Sequence, residues 1–122
     1  MSYSSRLSDC PYCSASAEDA WVINEYVIAI PSKDAVTACH IVVAPRRHVP
    51  GFYDLDVQEQ RMIWETLREL RDRIRRSVNV EGFDAGFVDC AGEPAHTHVH
   101  LIPRGTGESI ARPSGAEWVA LE

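Results

Sequence analysis

The sequence predicts an α+β domain in which a five-stranded antiparallel sheet packs against one long helix. Several short segments are rich in β-branched and aromatic residues, as strands are. Between the third and fourth of these segments, Ile63, Leu67, Leu70 and Ile74 follow at spacings of four, three and four residues, which is typical of the buried face of a helix. The length of 122 residues allows one hydrophobic core, so we expect a single domain over residues 1–122.

The first three strands are predicted in the N-terminal half of the chain. Residues 21–24 and 26–30 are rich in β-branched and aromatic residues and meet at a polar turn around Asn24-Glu25, which predicts a hairpin. Residues 39–44 form a third apolar segment. It ends at Pro45, because proline cannot donate a backbone hydrogen bond to a neighbouring strand.

The long helix is predicted to begin after Asp56. The carboxylate of Asp56 can accept a hydrogen bond from the first helical turn, and Glu59, three residues on, can bond back to it, as in a capping box. Charged residues between Arg68 and Arg76 are interspersed with the apolar positions. We interpret them as the solvated face of the helix rather than as a patch that binds nucleic acid.

Two further strands are predicted after the helix, over residues 82–89 and 96–102. The predicted core of the domain covers residues 10–104, and residues 105–122 form a C-terminal tail. The tail is rich in Gly, Ser and Pro but ends in the apolar segment 118–121. Such a segment needs a partner, either in the same chain or across a dimer.

Charge and hydropathy exclude several classes of protein. The net charge of −6 at pH 7 argues against a protein that binds nucleic acid through its phosphate backbone. No apolar segment reaches the roughly 20 residues that a membrane-spanning helix needs. Residues 1–9 lack the apolar core of a signal peptide. We therefore expect a cytoplasmic protein whose partners include neither nucleic acid nor a membrane.

Three of the five histidines alternate along the last predicted strand. Alternate side chains of a strand project from one face, so His96, His98 and His100 should lie side by side at intervals of about 7 Å. Val99 and Leu101 would pack on the core from the opposite face. Because imidazole titrates near neutral pH, three imidazoles on one face indicate nucleophilic, acid–base or metal chemistry.

The motif His-x-His-x-His, followed by two apolar residues and Pro-Arg, occupies residues 96–104. It resembles the signature of the histidine triad (HIT) family of nucleotide hydrolases and transferases. The resemblance extends from Cys10 to about Pro103. It implies a HIT-like fold, a homodimer, and a purine nucleotide or nucleotide conjugate as the ligand. The implied substrates are nucleoside phosphoramidates or dinucleoside polyphosphates.

The resemblance also implies which residues are catalytic. His98, the middle histidine of the motif, would attack the α-phosphate and form a covalent nucleotidyl-histidine intermediate. His100 would contact the phosphate or assist the leaving group. His40 matches a fourth histidine of the family, and Cys39 before it stands where family members usually have glycine. Together with His96, these three histidines are the candidate catalytic residues.

Cys10 and Cys13 form a Cys-x-x-Cys pair, a spacing that suits a metal knuckle, a redox pair or a disulfide. No predicted βαβ unit surrounds the pair, which disfavours a thioredoxin-like redox site, and a reducing compartment disfavours a disulfide. One branch of the HIT family carries a structural zinc ion on such a pair and two histidines, which match His48 and His96. The resemblance therefore implies a closed tetrahedral zinc site at Cys10, Cys13, His48 and His96.

The implied substrate pocket departs from the family pattern. The resemblance assigns Ile30, Ser32 and Glu93 to it, but Ser32 stands where family members usually have an aspartate that binds the ribose. Val88 stands in place of an asparagine near the phosphate, and the loop over residues 91–95 is shorter by a few residues. Glu93 stands near the place of a glutamine, although a carboxylate repels a phosphate unless it is protonated or bridged by a cation.

Three hypotheses about function follow, in order of preference. The first is a nucleotide hydrolase or transferase that acts through His98. The second is a non-catalytic nucleotide-binding or regulatory module, which the altered pocket favours and the complete set of histidines opposes. The third is a metalloenzyme that uses His96, His98 and His100 as ligands of an open metal site.

Overall fold

One antiparallel sheet and one long helix dominate the part of the chain that the computed structural model describes, namely residues 10–33, 35, 39–89, 96–105 and 116–121. The strands, β1 to β6 in chain order, are Val22–Ile23, Val27–Pro31, Ile41–Pro45, Gly82–Val88, His98–Arg104 and Glu117–Leu121. Their order in the sheet is β1-β2-β3-β5-β4-β6, and all neighbours are antiparallel. The predicted α+β class is confirmed, with six strands in place of five.

The helix, α1, covers Val57–Ser77 and begins where the sequence predicts. The Asp56 side chain accepts a hydrogen bond from the Glu59 amide, and the Glu59 carboxylate accepts one from the Asp56 amide, which completes the capping box. The four apolar positions of the predicted buried face all lie in the core. None of the helices in the described ranges combines the length and apolar character needed to cross a bilayer.

The hydrophobic core lies between α1 and one face of the sheet. This face carries alternate residues of the inner strands, which are fully or almost fully buried: Val27, Ala29, Ile41, Val43, Phe83, Ala85, Val99 and Leu101. Burial of apolar surface on this side supplies most of the stabilisation of the fold. Val42 and Ala44, which alternate with these residues and belong to the opposite face, are buried as well.

An ion pair connects the segment after β3 to the start of the helix. The Arg47 guanidinium donates to both carboxylate oxygens of Glu59, with Nε–Oε2 and Nη2–Oε1 distances of 3.0 and 2.7 Å. Because Glu59 is only 6% exposed, this two-point pairing compensates a buried charge. Its hydrogen bonds to Arg47 lower the pKa of Glu59.

The sixth strand lies within the segment that the sequence predicts as a tail. Glu117–Leu121 pairs with β4 at the edge of the sheet, in the register Gly86↔Trp118. The backbone of the C-terminal segment thus pairs within the same chain, while the Val119 side chain stays 47% exposed. Sequence periodicity missed this strand because it is short and its pairing is set by the distant β4 rather than by local pattern.

The last strand of the histidine motif begins later than predicted. β5 starts at His98, so His96 and Thr97 precede it. Thr97 fixes this entry, since its amide donates to the Val49 carbonyl at 2.8 Å and its hydroxyl donates to the Val88 carbonyl at 3.0 Å. The prediction that three histidines share one strand face is therefore wrong for His96 and holds for His98 and His100.

Cys39 adopts a left-handed backbone conformation, with φ at 65°. This conformation costs an L-residue roughly 1–2 kcal/mol relative to the right-handed region, and glycine adopts it freely. This left-handed conformation is a physical reason for the glycine that members of the resembled family usually have at this position. The strained residue leads directly into His40.

We expect Cys39→Gly to be more stable than Cys39→Ala, the reverse of the usual order of these residues. Both changes remove the thiol, but only glycine relieves the left-handed conformation. The difference should be about 1 kcal/mol, because part of the relief is offset by the greater entropy of unfolded glycine. Urea denaturation followed by tryptophan fluorescence measures it. An alanine variant as stable as the glycine variant would contradict the argument.

Candidate functional site

Pairing of β3 with β5 brings three histidines together on the face of the sheet away from α1. His100 lies opposite Val42 in the ladder, and His40 immediately precedes β3. The His40 Nε2 and His100 Nδ1 atoms are 2.9 Å apart, which is a hydrogen bond between the two rings. The ring centroids of His98 and His100 are 5.2 Å apart. His40, predicted from a separate motif, thus joins the pair on β5.

The tautomer of His98 follows from its hydrogen bond. Its Nδ1 lies 2.8 Å from the backbone carbonyl oxygen of His96. Because a carbonyl only accepts, Nδ1 carries the hydrogen and donates it. In the neutral ring, Nε2 then holds the lone pair, and that atom is available as a nucleophile.

Burial keeps these imidazoles neutral near pH 7. Burial lowers the pKa of His98 more than its hydrogen bond to the His96 carbonyl raises it. It also lowers the pKa of His40. The pKa of His100 is lowered to about 4, first by burial and then by the neighbouring imidazoles. A neutral ring is the form that can attack phosphorus, so the burial suits nucleophilic chemistry.

A cavity of about 310 Å³ opens beside His98 and His100. Ile30 and Ser32, which the family resemblance assigns to the substrate pocket, line it. Lys33 also lines it and supplies a positive charge. The volume suits a small-molecule ligand, and the cation favours an anionic one. Glu93 and the loop around it lie outside the described residues, as does Cys90.

Val88, predicted to replace a phosphate-binding asparagine, lies directly beside the candidate nucleophile. It is the ladder partner of His98 across β4 and β5 and is 9% exposed. Its side chain offers no hydrogen bond. The site therefore presents an apolar contact at this edge of His98 in place of the amide that family members usually have.

The four predicted zinc ligands come together in a second cluster. The Sγ atoms of Cys10 and Cys13 lie 3.3 and 3.6 Å from His96 Nδ1, and Cys13 Sγ lies 3.2 Å from His48 Nδ1. The two Nδ1 atoms are 3.1 Å apart. All four donor atoms lie within 4.8 Å of one another. Cys10 and Cys13 are thiols rather than a disulfide pair.

These separations fit a tetrahedral metal ion. Bonds of about 2.0–2.1 Å to nitrogen and about 2.3 Å to sulfur place two nitrogens roughly 3.3 Å apart and a nitrogen and a sulfur roughly 3.5 Å apart. Four of the six donor separations, at 3.1–3.6 Å, agree with this geometry to within a few tenths of an ångström. The other two, from Cys10 to Cys13 and to His48, are at most 4.8 Å. Two thiols and two imidazoles are the donor set of a closed structural zinc site.

His96 belongs to this cluster rather than to the cavity. Its Nε2 donates a hydrogen bond to the Pro45 carbonyl at 2.8 Å, so Nδ1 holds the lone pair that faces the cysteines. Burial lowers the pKa of His96 to about 4, which keeps Nδ1 unprotonated. A carbonyl that orients the ring of a ligating histidine is a common second contact in metal sites. Of its two predicted roles, the geometry supports the metal role.

Two aromatic residues that the sequence analysis did not assign to the site also lie in it. The Tyr12 ring lies against His98, with centroids 4.5 Å apart and planes inclined by 33°. The Trp118 ring stacks beside His100 at 6.1 Å and 26°. Tyr12 stands inside the Cys-x-x-Cys motif and Trp118 in the apolar C-terminal segment, but neither motif indicates contact with the histidines.

Comparisons with known proteins agree with this architecture. A profile of the HIT domain family matches residues 16–107 of the chain. The bifunctional bis(5'-adenosyl)-triphosphatase/adenylylsulfatase of Arabidopsis thaliana is 32% identical over 72 residues, which are 57% of this chain and 40% of that relative. The chain thus spans less than half of the length of this curated relative.

Solved structures share the fold at low sequence identity. A HIT family protein from Bacillus subtilis superposes with a TM-score of 0.71 at 20% identity, over 86% of this chain and 82% of that one. A zinc-bound histidine triad family protein from Mycobacterium smegmatis superposes with a TM-score of 0.64 at 19% identity, over 84% of this chain and 80% of that one. Both confirm the architecture of sheet and helix.

Trp118 is held over Gly86, and we expect Gly86→Ala to displace it. A Cβ atom at position 86 would lie 2.6 Å from two atoms of the indole ring, closer than van der Waals contact permits. The substitution should cost about 1–3 kcal/mol of unfolding free energy, as overpacking does. In a Trp118→Ala background the same change should cost much less. Urea denaturation of the unaltered protein, the two single variants and the double variant gives the coupling energy between the two positions. An equal cost of Gly86→Ala in both backgrounds would contradict the contact.

Proposed function

The chain belongs to the HIT domain family, whose profile covers residues 16–107, and from this premise we propose that it is a nucleotide hydrolase or nucleotidyl transferase. Its proposed substrates are dinucleoside polyphosphates or nucleoside phosphoramidates. The Arabidopsis relative, named as a bis(5'-adenosyl)-triphosphatase, supports an adenosine polyphosphate. The homodimer and the cytoplasmic location expected from the sequence stay predictions.

One observation carries the catalytic proposal. The hydrogen bond from His98 Nδ1 to the His96 carbonyl leaves the Nε2 lone pair of a neutral imidazole for attack on phosphorus. His98 lines the cavity together with Lys33, whose charge attracts a phosphate chain. A buried, neutral nucleophile beside a cavity for an anionic ligand is the arrangement that covalent nucleotidyl transfer requires.

The proposed reaction has two displacements at the α-phosphorus. In the first, Nε2 of His98 forms a P–N bond while the bond from phosphorus to the leaving group breaks. A polyphosphate leaves as an anion, whereas an amine takes up a proton from solvent, because the hydrogen-bonded rings of His40 and His100 are both neutral. In the second, water attacks phosphorus and the P–N bond breaks. His98 returns to its neutral form, and the proton of the water passes to the histidine pair or to solvent.

A non-catalytic nucleotide-binding module is the second candidate function. The contact of Val88 with the candidate nucleophile favours it, because no side-chain amide stabilises charge on the phosphate at that edge. The open metal site formed by all three motif histidines receives no support. Among the residues that the structure describes, His96 groups with Cys10, Cys13 and His48 instead.

The test of the catalytic proposal compares His98→Ala and His98→Asn with the unaltered protein. The asparagine amide can still donate to the His96 carbonyl, so it controls for local structure while removing the nucleophile. Both variants should lose at least about 10³-fold in turnover of diadenosine triphosphate and adenosine phosphoramidate. Released AMP measures the turnover. Intact-protein mass spectrometry of the quenched reaction should find a nucleotidyl adduct only when His98 is present.

Two outcomes would contradict the catalytic proposal. One is turnover that survives in the asparagine variant. The other is an unaltered protein that binds the nucleotides, by calorimetry, yet releases no AMP and carries no adduct. The second result would favour the binding module.

We further propose that Cys10, Cys13, His48 and His96 hold a structural zinc ion. The donor distances and the neutral state of His96 support it, as does the zinc-bound relative from Mycobacterium smegmatis. When bound, zinc in a closed site of this kind crosslinks the chain and offers no open position to water. The four residues would join the N-terminal segment to the segments that flank β3 and β5.

Cys10→Ala should abolish the zinc content, and Cys39→Ala should leave it at one ion per chain. Each change removes one cysteine thiol, but only Cys10 belongs to the cluster. Loss of the crosslink should lower the melting temperature by roughly 5–10 °C, since this corresponds to a few kcal/mol for a domain of this size. Metal analysis and calorimetry measure both effects. Equal zinc content in the two variants would show that the cluster is not the binding site.

A further inference from the structure

We propose that Tyr12 is a positioning residue, whose ring holds the imidazole of His98 in the orientation needed for attack. The inference rests on the hydrolase function proposed above and extends it to a residue of the metal knuckle. Tyr12 is not a candidate acid, base or nucleophile here. Its role is to act on the substrate through His98.

The ring contacts of Tyr12 reach both histidine sites. Its centroid lies 4.5 Å from that of His98 at an angle of 33°, and 5.5 Å from that of His96 at 64°. The first is a tilted contact at short distance, and the second is an edge-to-face contact, an arrangement that aromatic rings prefer. Tyr12 therefore packs at once against a candidate metal ligand and against the candidate nucleophile.

The hydrogen bond from Nδ1 restrains the His98 ring incompletely, so a second contact is needed to fix its orientation. The bond from Nδ1 to the His96 carbonyl favours one orientation. Rotation of the ring by half a turn about its Cβ–Cγ bond would replace Nδ1 with a carbon and turn Nε2 away from its present direction. His100 meets His98 edge-on, at 75°. The Tyr12 ring packs against the imidazole with centroids 4.5 Å apart, so rotation of the imidazole must first displace it.

Tyr12 is itself held by the knuckle. The chain turns tightly here, since the Ser14 amide and hydroxyl both donate to the Cys10 carbonyl, at 2.9 and 2.7 Å. Cys10 is fully buried, and its Sγ lies 3.3 Å from His96 Nδ1. With Cys10 and Cys13 both anchored at the cluster, the two residues between them have little freedom. The knuckle thus determines where the Tyr12 ring lies.

The knuckle also contributes a wall of the cavity. Pro11 and Tyr12 line the 310 Å³ space together with His98 and His100. This leaves two distinct roles for Tyr12, one in orienting His98 and one in contacting the substrate. A contact with substrate alone would change KM, whereas an orienting role changes kcat, because misplacement of a reacting atom raises the barrier of the chemical step.

The experiment compares Tyr12→Ala with Tyr12→Phe, which keeps the ring, and with Tyr53→Ala, a matched loss of a tyrosine ring that is 88% exposed. Nitrogen-15 NMR of the imidazole rings at a fixed pH of about 7.5, well above the reference pKa of histidine, reports which nitrogen of His98 carries the hydrogen. We expect one tautomer, with the hydrogen on Nδ1, in the unaltered protein, in Tyr12→Phe and in Tyr53→Ala. In Tyr12→Ala we expect both tautomers and a kcat lowered roughly ten- to a hundredfold, with KM changed less than kcat.

A single Nδ1–H tautomer in Tyr12→Ala would overturn the inference, as would a change confined to KM. If Tyr12→Ala does not fold, Tyr12→Leu retains apolar volume without a ring and is judged by the same criteria. The NMR measurement needs no turnover. Absence of activity in the unaltered protein would therefore count against the proposed hydrolase, while the tautomer of His98 would still decide the role of Tyr12.

Discussion

The placement of His96 is the constraint on which the rest of the site depends. Its Nδ1 faces the two cysteines and His48, and its Nε2 donates to the Pro45 carbonyl at the end of β3. Its backbone carbonyl accepts the hydrogen bond that selects the tautomer of His98. One buried residue thereby connects the candidate metal cluster, the sheet and the candidate nucleophile. Burial keeps its ring neutral, and only a neutral ring can make these contacts together.

One face of the sheet packs in the hydrophobic core, and the other carries the histidines of the candidate site. Side chains that face α1, such as Val99 and Leu101, are buried among apolar neighbours. The alternating residues His98 and His100 face the cavity instead. Because the pleat fixes this alternation, the core and the site are positioned by the same backbone. Antiparallel pairing then brings His40 from the start of β3 within hydrogen-bonding distance of His100.

Two features of the site lower the stability of the fold, namely the buried imidazoles and the strained backbone of Cys39, and the core compensates for both. Burial disfavours the charged forms of His40, His98 and His100, so these rings stay neutral where an exposed histidine would titrate. Cys39 occupies a left-handed conformation immediately before His40. Strain of this kind is found where function rather than stability selects the conformation. The apolar packing between α1 and the sheet is the source of the compensating stability.

Local patterns in the sequence determined the helix and its cap, the alternation on β5, and the pairing of Cys10 with Cys13, because spacings of two to four residues encode them. Only the tertiary structure decided that β5 begins at His98, that the last strand pairs with β4, and that Tyr12 lies against His98. Each of these depends on residues far apart in the chain, as Cys10 and His96 are at 86 positions. Such contacts are set by strand register and chain direction, and no short-range periodicity carries that information.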